Sequence, residues 1–152
     1  MMTMNLSRRA MIATTLAFAA TPILAMEPMW FAEDGVAIRG YDPVAYFDEK
    51  GPVKGSSEFQ TTFEDGVFQF ASAENKALFD ADPARYAPQF GGYCAYAVSR
   101  GYTAPIDPEA WSIHDGKLYL NFSKSVRTLW AANKKGNIQA ADENWPSVLS
   151  GS

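Results

Sequence analysis

Cys94 and His114 are the only cysteine and the only histidine in this 152-residue chain. Brought together, a thiol and an imidazole form a sulfur–nitrogen pair suited to a transition-metal ion such as copper, with a methionine or tyrosine completing the shell. The same two groups in contact, with an orienting partner and an oxyanion hole, would make a cysteine nucleophile. Gly91-Gly92, just ahead of Cys94, could expose backbone N–H groups at a helix N-terminus, where the dipole lowers a thiol pKa. Set against these readings, a lone free cysteine commonly sits buried as a small apolar residue. His114 would then be an exposed turn residue before Asp115-Gly116. A closed zinc site takes four ligands, usually Cys and His, and half of them here would have to be carboxylates. With one cysteine there is no intrachain disulfide. Met26-Glu27-Pro28-Met29 offers two thioethers that could also meet copper, or is simply an unstructured leader.

The elements that must position these groups begin after the first 25 residues. Ser7-Arg8-Arg9 followed by the apolar run from Met11 to Ala20, with small residues at Ala17, Ala19 and Ala25, has the layout of an export signal. The paired arginines are similar to a twin-arginine signal, which predicts a soluble periplasmic protein. The apolar run is interrupted and short of the roughly 20 residues a membrane span needs, so no span is expected once the signal is cleaved. Without Arg8 and Arg9 the chain keeps 11 Lys and Arg against 17 Asp and Glu, a net charge of −6. A nucleic-acid partner, which demands a basic face, is excluded on that ground. The remaining length suffices for one domain with its own core.

Turn chemistry divides this domain. Val36-Ala37-Ile38 reads as a short strand, and Asp42-Pro43 sets an N-cap before a first-turn proline, opening a brief helix through Phe47. Phe59–Phe63 and Val67–Phe70 flank Glu64-Asp65-Gly66, a hairpin signal. Trp111–His114 and Lys117–Asn121 flank Asp115-Gly116, a second hairpin. Ser72 and Ser123 cap the helices that follow, the second carrying Val126, Leu129 and Trp130 on one face. Asp82-Pro83 opens a further helical turn, Tyr93–Ser99 reads as a helix, and another runs from about Asn137 to Asn144. The hairpins align at an offset of 50 if Asp65-Gly66 matches Asp115-Gly116, and the helices at 51, which implies a one-residue insertion near Asn121. The expected fold is α+β: a small single domain in which two β-hairpin–helix units form an antiparallel sheet with short helices packed on it. Tyr41, Tyr46, Tyr86, Tyr93, Tyr96 and Tyr102 would either line a ligand or partner surface or fill the core.

Three stretches in order, Tyr41-Asp42-Pro43-Val44-Ala45-Tyr46-Phe47, Phe70-Ala71-Ser72-Ala73-Glu74-Asn75 with Asp82-Pro83-Ala84-Arg85-Tyr86, and Gly91-Gly92-Tyr93-Cys94-Ala95, resemble the YHS domain. The resemblance runs from Gly40 to Trp145, its second part similar to the extension of exported bacterial YHS proteins. It implies a small metal-binding module. The positions that carry cysteine in metal-binding relatives are here Ala45, Ala71 and Asn75, and neither a methyl group nor a carboxamide is a ligand for a soft metal.

These readings predict a signal peptide over residues 1–25, a leader over 26–39, a YHS-type domain over 40–148 with halves at about 58–90 and 110–146, and a tail over 149–152. The expected function is an exported, non-enzymatic binding domain of the cell envelope holding a transition-metal ion such as copper, with Cys94 and His114 as ligands. The alternative is an interaction or scaffold module docking an unidentified envelope protein through its tyrosines. A cysteine-dependent enzyme comes third.

Overall fold

A computed structural model describes residues 26–48 and 51–151; the expected signal peptide lies outside them. The α+β class holds. Six short strands form three antiparallel ribbons: β1 (Ala32–Glu33) with β2 (Val36–Ala37), β3 (Ser56–Phe63) with β4 (Gly66–Phe70), and β5 (Asp107–His114) with β6 (Lys117–Asn121). Five helices accompany them: α1 (Ala73–Ala81), α2 (Pro83–Tyr86), α3 (Ala95–Ser99), α4 (Lys124–Ala131) and α5 (Lys134–Asn144). The two long hairpins do not share a sheet, as the sequence had suggested they would; each remains two-stranded. Their inner strands are covered instead, β4 by β2 and β6 by α3 and the tight turn Gln89–Gly92. Covering an edge with other backbone that does not extend the ladder removes it as a pairing template.

The hairpins repeat one another in detail. In the first, Ser56 faces Phe70 and the register then jumps to Gln60 opposite Gln69; in the second, Asp107 faces Asn121 and the register jumps to Trp111 opposite Leu120. Every pairing recurs 51 residues later, bulge included. The offset of 50 and the insertion near Asn121 are therefore corrected. Both turns are two-residue loops with left-handed backbone, Glu64-Asp65 (φ 45° and 68°) and Asp115-Gly116 (φ 50° and 73°). That is the geometry whose twist matches the flanking strands. Gly66 is not a turn residue but opens β4, where a Cβ would lie 2.6 Å from the Trp30 ring. The two Asp-Gly steps look alike and do different jobs.

The helices repeat as well. Ser72 and Ser123 each accept a hydrogen bond from the backbone N–H three residues on, Asn75 and Val126, at 3.1 Å. Phe79 and Trp130, at matching positions on α1 and α4, are wholly buried. An aromatic side chain of this kind withdraws roughly 150–250 Å² from water, so each centres the core of its own half. Around Phe79 pack Val44, Phe68, Phe70 and Tyr86; around Trp130 lie Val98, Leu118, Tyr119 and Leu120.

The segment expected as a leader belongs to the fold. Trp30 packs into the first core and its neighbour Phe31 into the second, so a single peptide step stitches the halves together. Ile38 N–H donates to Phe31 O at 3.0 Å, and Phe31 N–H to Gly91 O at 2.8 Å. The expected tail is anchored too: Leu149 is buried and its carbonyl accepts from Glu27 N–H. Among the described residues no helix is long and apolar enough to cross a membrane.

Candidate functional site

The repeat extends to the segments that precede each hairpin, and there it builds two matching sites. Ile38, Arg39 and Gly40 have φ of 46°, 58° and 76°; Phe90, Gly91 and Gly92 have 54°, 61° and 77°. Such a run of left-handed residues is costly for a β-branched side chain such as Ile38. It turns the chain sharply, with Tyr41 N–H donating to Ile38 O and Tyr93 N–H to Phe90 O. The next residue in each copy is Asp42 or Cys94, at the start of a short helical segment. Asp42 N–H donates to Val53 O, and Cys94 N–H to Ala104 O. The one-residue difference between the halves therefore lies in the loop after Asp42, which is a residue longer than the loop after Cys94.

In the first half Asp42 is fully buried. Its Oδ1 accepts from the N–H groups of Val44 (2.8 Å) and Ala45 (3.3 Å), and its Oδ2 from Ala71 N–H (2.9 Å) and Asn75 Nδ2 (2.7 Å). A buried carboxylate is tolerable only with such partners. The cap expected from Asp42-Pro43 is thus also a tie between the first short helix, the end of β4 and α1.

In the second half Cys94 takes that place and is almost wholly buried. Phe122 N–H, the counterpart of Ala71 N–H, points at Cys94 Sγ at 3.2 Å, and the thiol lies 3.6 Å from Asn121 Oδ1, which also accepts from Tyr96 N–H at 3.0 Å. Burial pushes the thiol pKa up, against the smaller downward pull of the N–H groups of Ala97, Phe122 and Tyr96. The group matching Asn75 is Val126. A valine cannot reach down with a donor, and a cavity of about 280 Å³ opens there, lined by Cys94, Tyr96, Ala97, Tyr102, Ala104, Phe122 and Val126. Tyr102 and Phe122 stand about half exposed at this pocket. Where one half is sealed by an amide, the other is open and apolar.

His114 is not there. It sits at the far end of the hairpin, paired with Lys117, its Nε2 3.4 Å from Asp115 Oδ2. Cys94 neighbours Asn121 at the opposite end of β6, and four extended residues span about 13 Å. Two ligands of one metal each lie near 2 Å from it, so the structure does not assemble the expected Cys94–His114 pair. Among the described residues no group of three or more His, Cys, Asp or Glu side chains could hold a metal ion. The nucleophile reading meets the same separation, and burial moves the thiol away from reactivity. The tyrosines do not form one face: Tyr46, Tyr86 and Tyr93 are core residues, and Tyr102 is the exposed one.

The sequence carried a signal for this pair of sites that alignment on the Asp-Gly turns obscured. Gly40-Tyr41-Asp42 and Gly92-Tyr93-Cys94 match, with Ala45 and Ala97 three residues further on.

No family model, no curated protein and no solved structure matches the chain.

Proposed function

We propose that this chain is a non-enzymatic binding domain of YHS type, exported to the cell envelope, and that its ligand is a compact, largely apolar molecule taken into the pocket over Cys94. The observation that carries the reading is the contrast between Asn75 and Val126 at equivalent positions. In one half the polar group beneath is capped by a side-chain amide; in the other it faces an open apolar cavity. Small-ligand sites are apolar concavities with a few placed polar groups, from about 300 Å³ upward, and this one, at about 280 Å³, lies just below that range and suits only a small molecule. Copper, the ligand first suggested by the cysteine and histidine, would find one thiol there and, among the described residues, no imidazole or thioether in the lining.

Titration of the ¹⁵N-labelled protein with indole tests the reading. Saturable shifts confined to Tyr96, Ala97, Ala104, Phe122 and Val126 are expected. Shifts absent or scattered over the surface would refute it. Stoichiometric copper(I) binding abolished by Cys94→Ser would replace the apolar ligand with a metal.

A further inference from the structure

A second cleft lies on the first-half side of Gly91, where the segment around Trp30 meets the end of α5. Its cavity of about 350 Å³ is lined by four aromatic residues, Trp30, Phe63, Phe90 and Trp145, and by two exposed acidic ones, Glu64 and Asp142. Among the described residues no lysine, arginine or histidine lines it. The rings are held at angles to one another: Trp30 and Phe63 have centroids 5.9 Å apart at 47°, and Phe90 and Trp145 lie 6.2 Å apart at 67°. Neither pair is a flat stack; Trp30 and Phe90 are largely buried, and Phe63 and Trp145 are the more open rings.

Their positions are fixed from beneath. Trp30 Nε1 donates to the Glu64 carbonyl at 3.2 Å, tying the first wall to the hairpin turn. Gly91 brings the backbone so close that a Cβ would fall 2.9 Å from the Trp145 ring and collide with the Met29 carbonyl. The aromatic pairs are therefore fixed in contact with one another, and the walls of the cleft are set by that packing.

Aromatic faces attract cations through the ring quadrupole, and the preference is strongest for tryptophan. Carboxylates beside them supply the formal countercharge. A hydrated metal ion would gain little from four rings, whereas an alkylated ammonium carries its charge on methyl groups that pack against them. We infer that this cleft is a recognition site for a small organic cation of the quaternary or methylated ammonium class. It is separate from the pocket over Cys94 and shares no lining residue with it.

The test uses the full chain and two probes of equal shape, choline and its uncharged carbon isostere 3,3-dimethyl-1-butanol, with tryptophan fluorescence and calorimetry as readouts. Choline is expected to bind at one site, and the isostere about tenfold or more weakly, the discrimination that a cation–π cage with countercharges provides. Glu64→Gln and Asp142→Asn should each weaken choline binding by about three- to tenfold and leave the isostere unaffected. Both carboxylates are exposed, so these variants keep the fold. Equal affinity for the two probes, or no saturable choline binding up to about 10 mM, would overturn the assignment.

Discussion

Asp42 and Cys94 occupy the same place in two copies of one structural unit, each following a left-handed three-residue turn and each receiving the N–H of the residue just past a hairpin, Ala71 or Phe122. What differs is the residue above. Asn75 completes the shell of Asp42, while Val126 brings no donor over Cys94 and leaves a largely apolar cavity there. A sealed structural tie in one half thereby corresponds to an open pocket in the other.

The sealed tie should be costly to break. Asp42→Ala orphans four buried or half-buried donors at once, and removing one partner from such a network costs about 3–5 kcal/mol. Asn75→Ala removes one bond to the carboxylate and should cost about 1.5–3 kcal/mol. Urea unfolding measures both. A loss below about 1 kcal/mol for Asp42→Ala would contradict the role assigned to it.

The two hairpin glycines should respond to very different degrees to the same change. Gly116 has φ of 73° with open space around it, and asparagine tolerates that conformation, so Gly116→Asn should cost less than about 1 kcal/mol. Gly66→Asn drives a side chain into the Trp30 ring and should cost about 1–3 kcal/mol or more. Equal effects in thermal unfolding would mean that Gly66 is a turn residue after all.

That contrast also shows what could be read in advance. The α+β class, both hairpins, the Ser72 and Ser123 caps and the Asp42 cap were legible, because each rests on local chemistry of a few neighbouring residues. The register of the repeat was not. Asp65-Gly66 and Asp115-Gly116 invite alignment on each other, and only the close approach of Trp30, remote in sequence, shows that Gly66 serves packing. The same is true of the site. Residue types singled out Cys94 and His114, but β6 holds them at opposite ends, and rarity in a sequence carries no information about distance. Trp30 and Phe31 lay hidden for a related reason, since a segment without periodicity gives no sign that it bridges two cores.

Alkaline pH should unfold the domain through its tyrosines. The Tyr46 hydroxyl, buried, donates to Pro108 O at 2.9 Å, and burial raises its pKa far above the ordinary tyrosine value of 10.0. Burial pushes Tyr93 up to about 12 and also raises Tyr119. A group whose folded pKa lies above its unfolded value contributes stability that is complete below the unfolded pKa. That contribution falls as pH rises from there through the folded pKa. Stability should therefore be insensitive to these groups below pH 10 and decline above it, with delayed phenolate absorbance appearing together with loss of near-ultraviolet circular dichroism. Tyr46→Phe should flatten the decline. Phenolate absorbance that saturated at ordinary pKa values in the folded protein would contradict the burial described.

Cys94 should be a slow thiol. Its raised pKa lowers the thiolate fraction at neutral pH, so iodoacetamide should modify it at least about tenfold more slowly than a small free thiol. The rate should go on rising with pH beyond the range where ordinary thiols level off. Modification as fast as that of a free thiol at pH 7 would revive the nucleophile.

The pocket itself is tested most directly by filling it. Binding of N-phenyl-1-naphthylamine, followed by its fluorescence, is to be compared in the parent chain, in Val126→Phe, which places a ring in the cavity, and in Leu129→Phe, on the exposed surface of the same helix. Saturable one-to-one binding that Val126→Phe abolishes and Leu129→Phe preserves is the predicted result. Binding unchanged by Val126→Phe in a protein that remains folded would contradict the account.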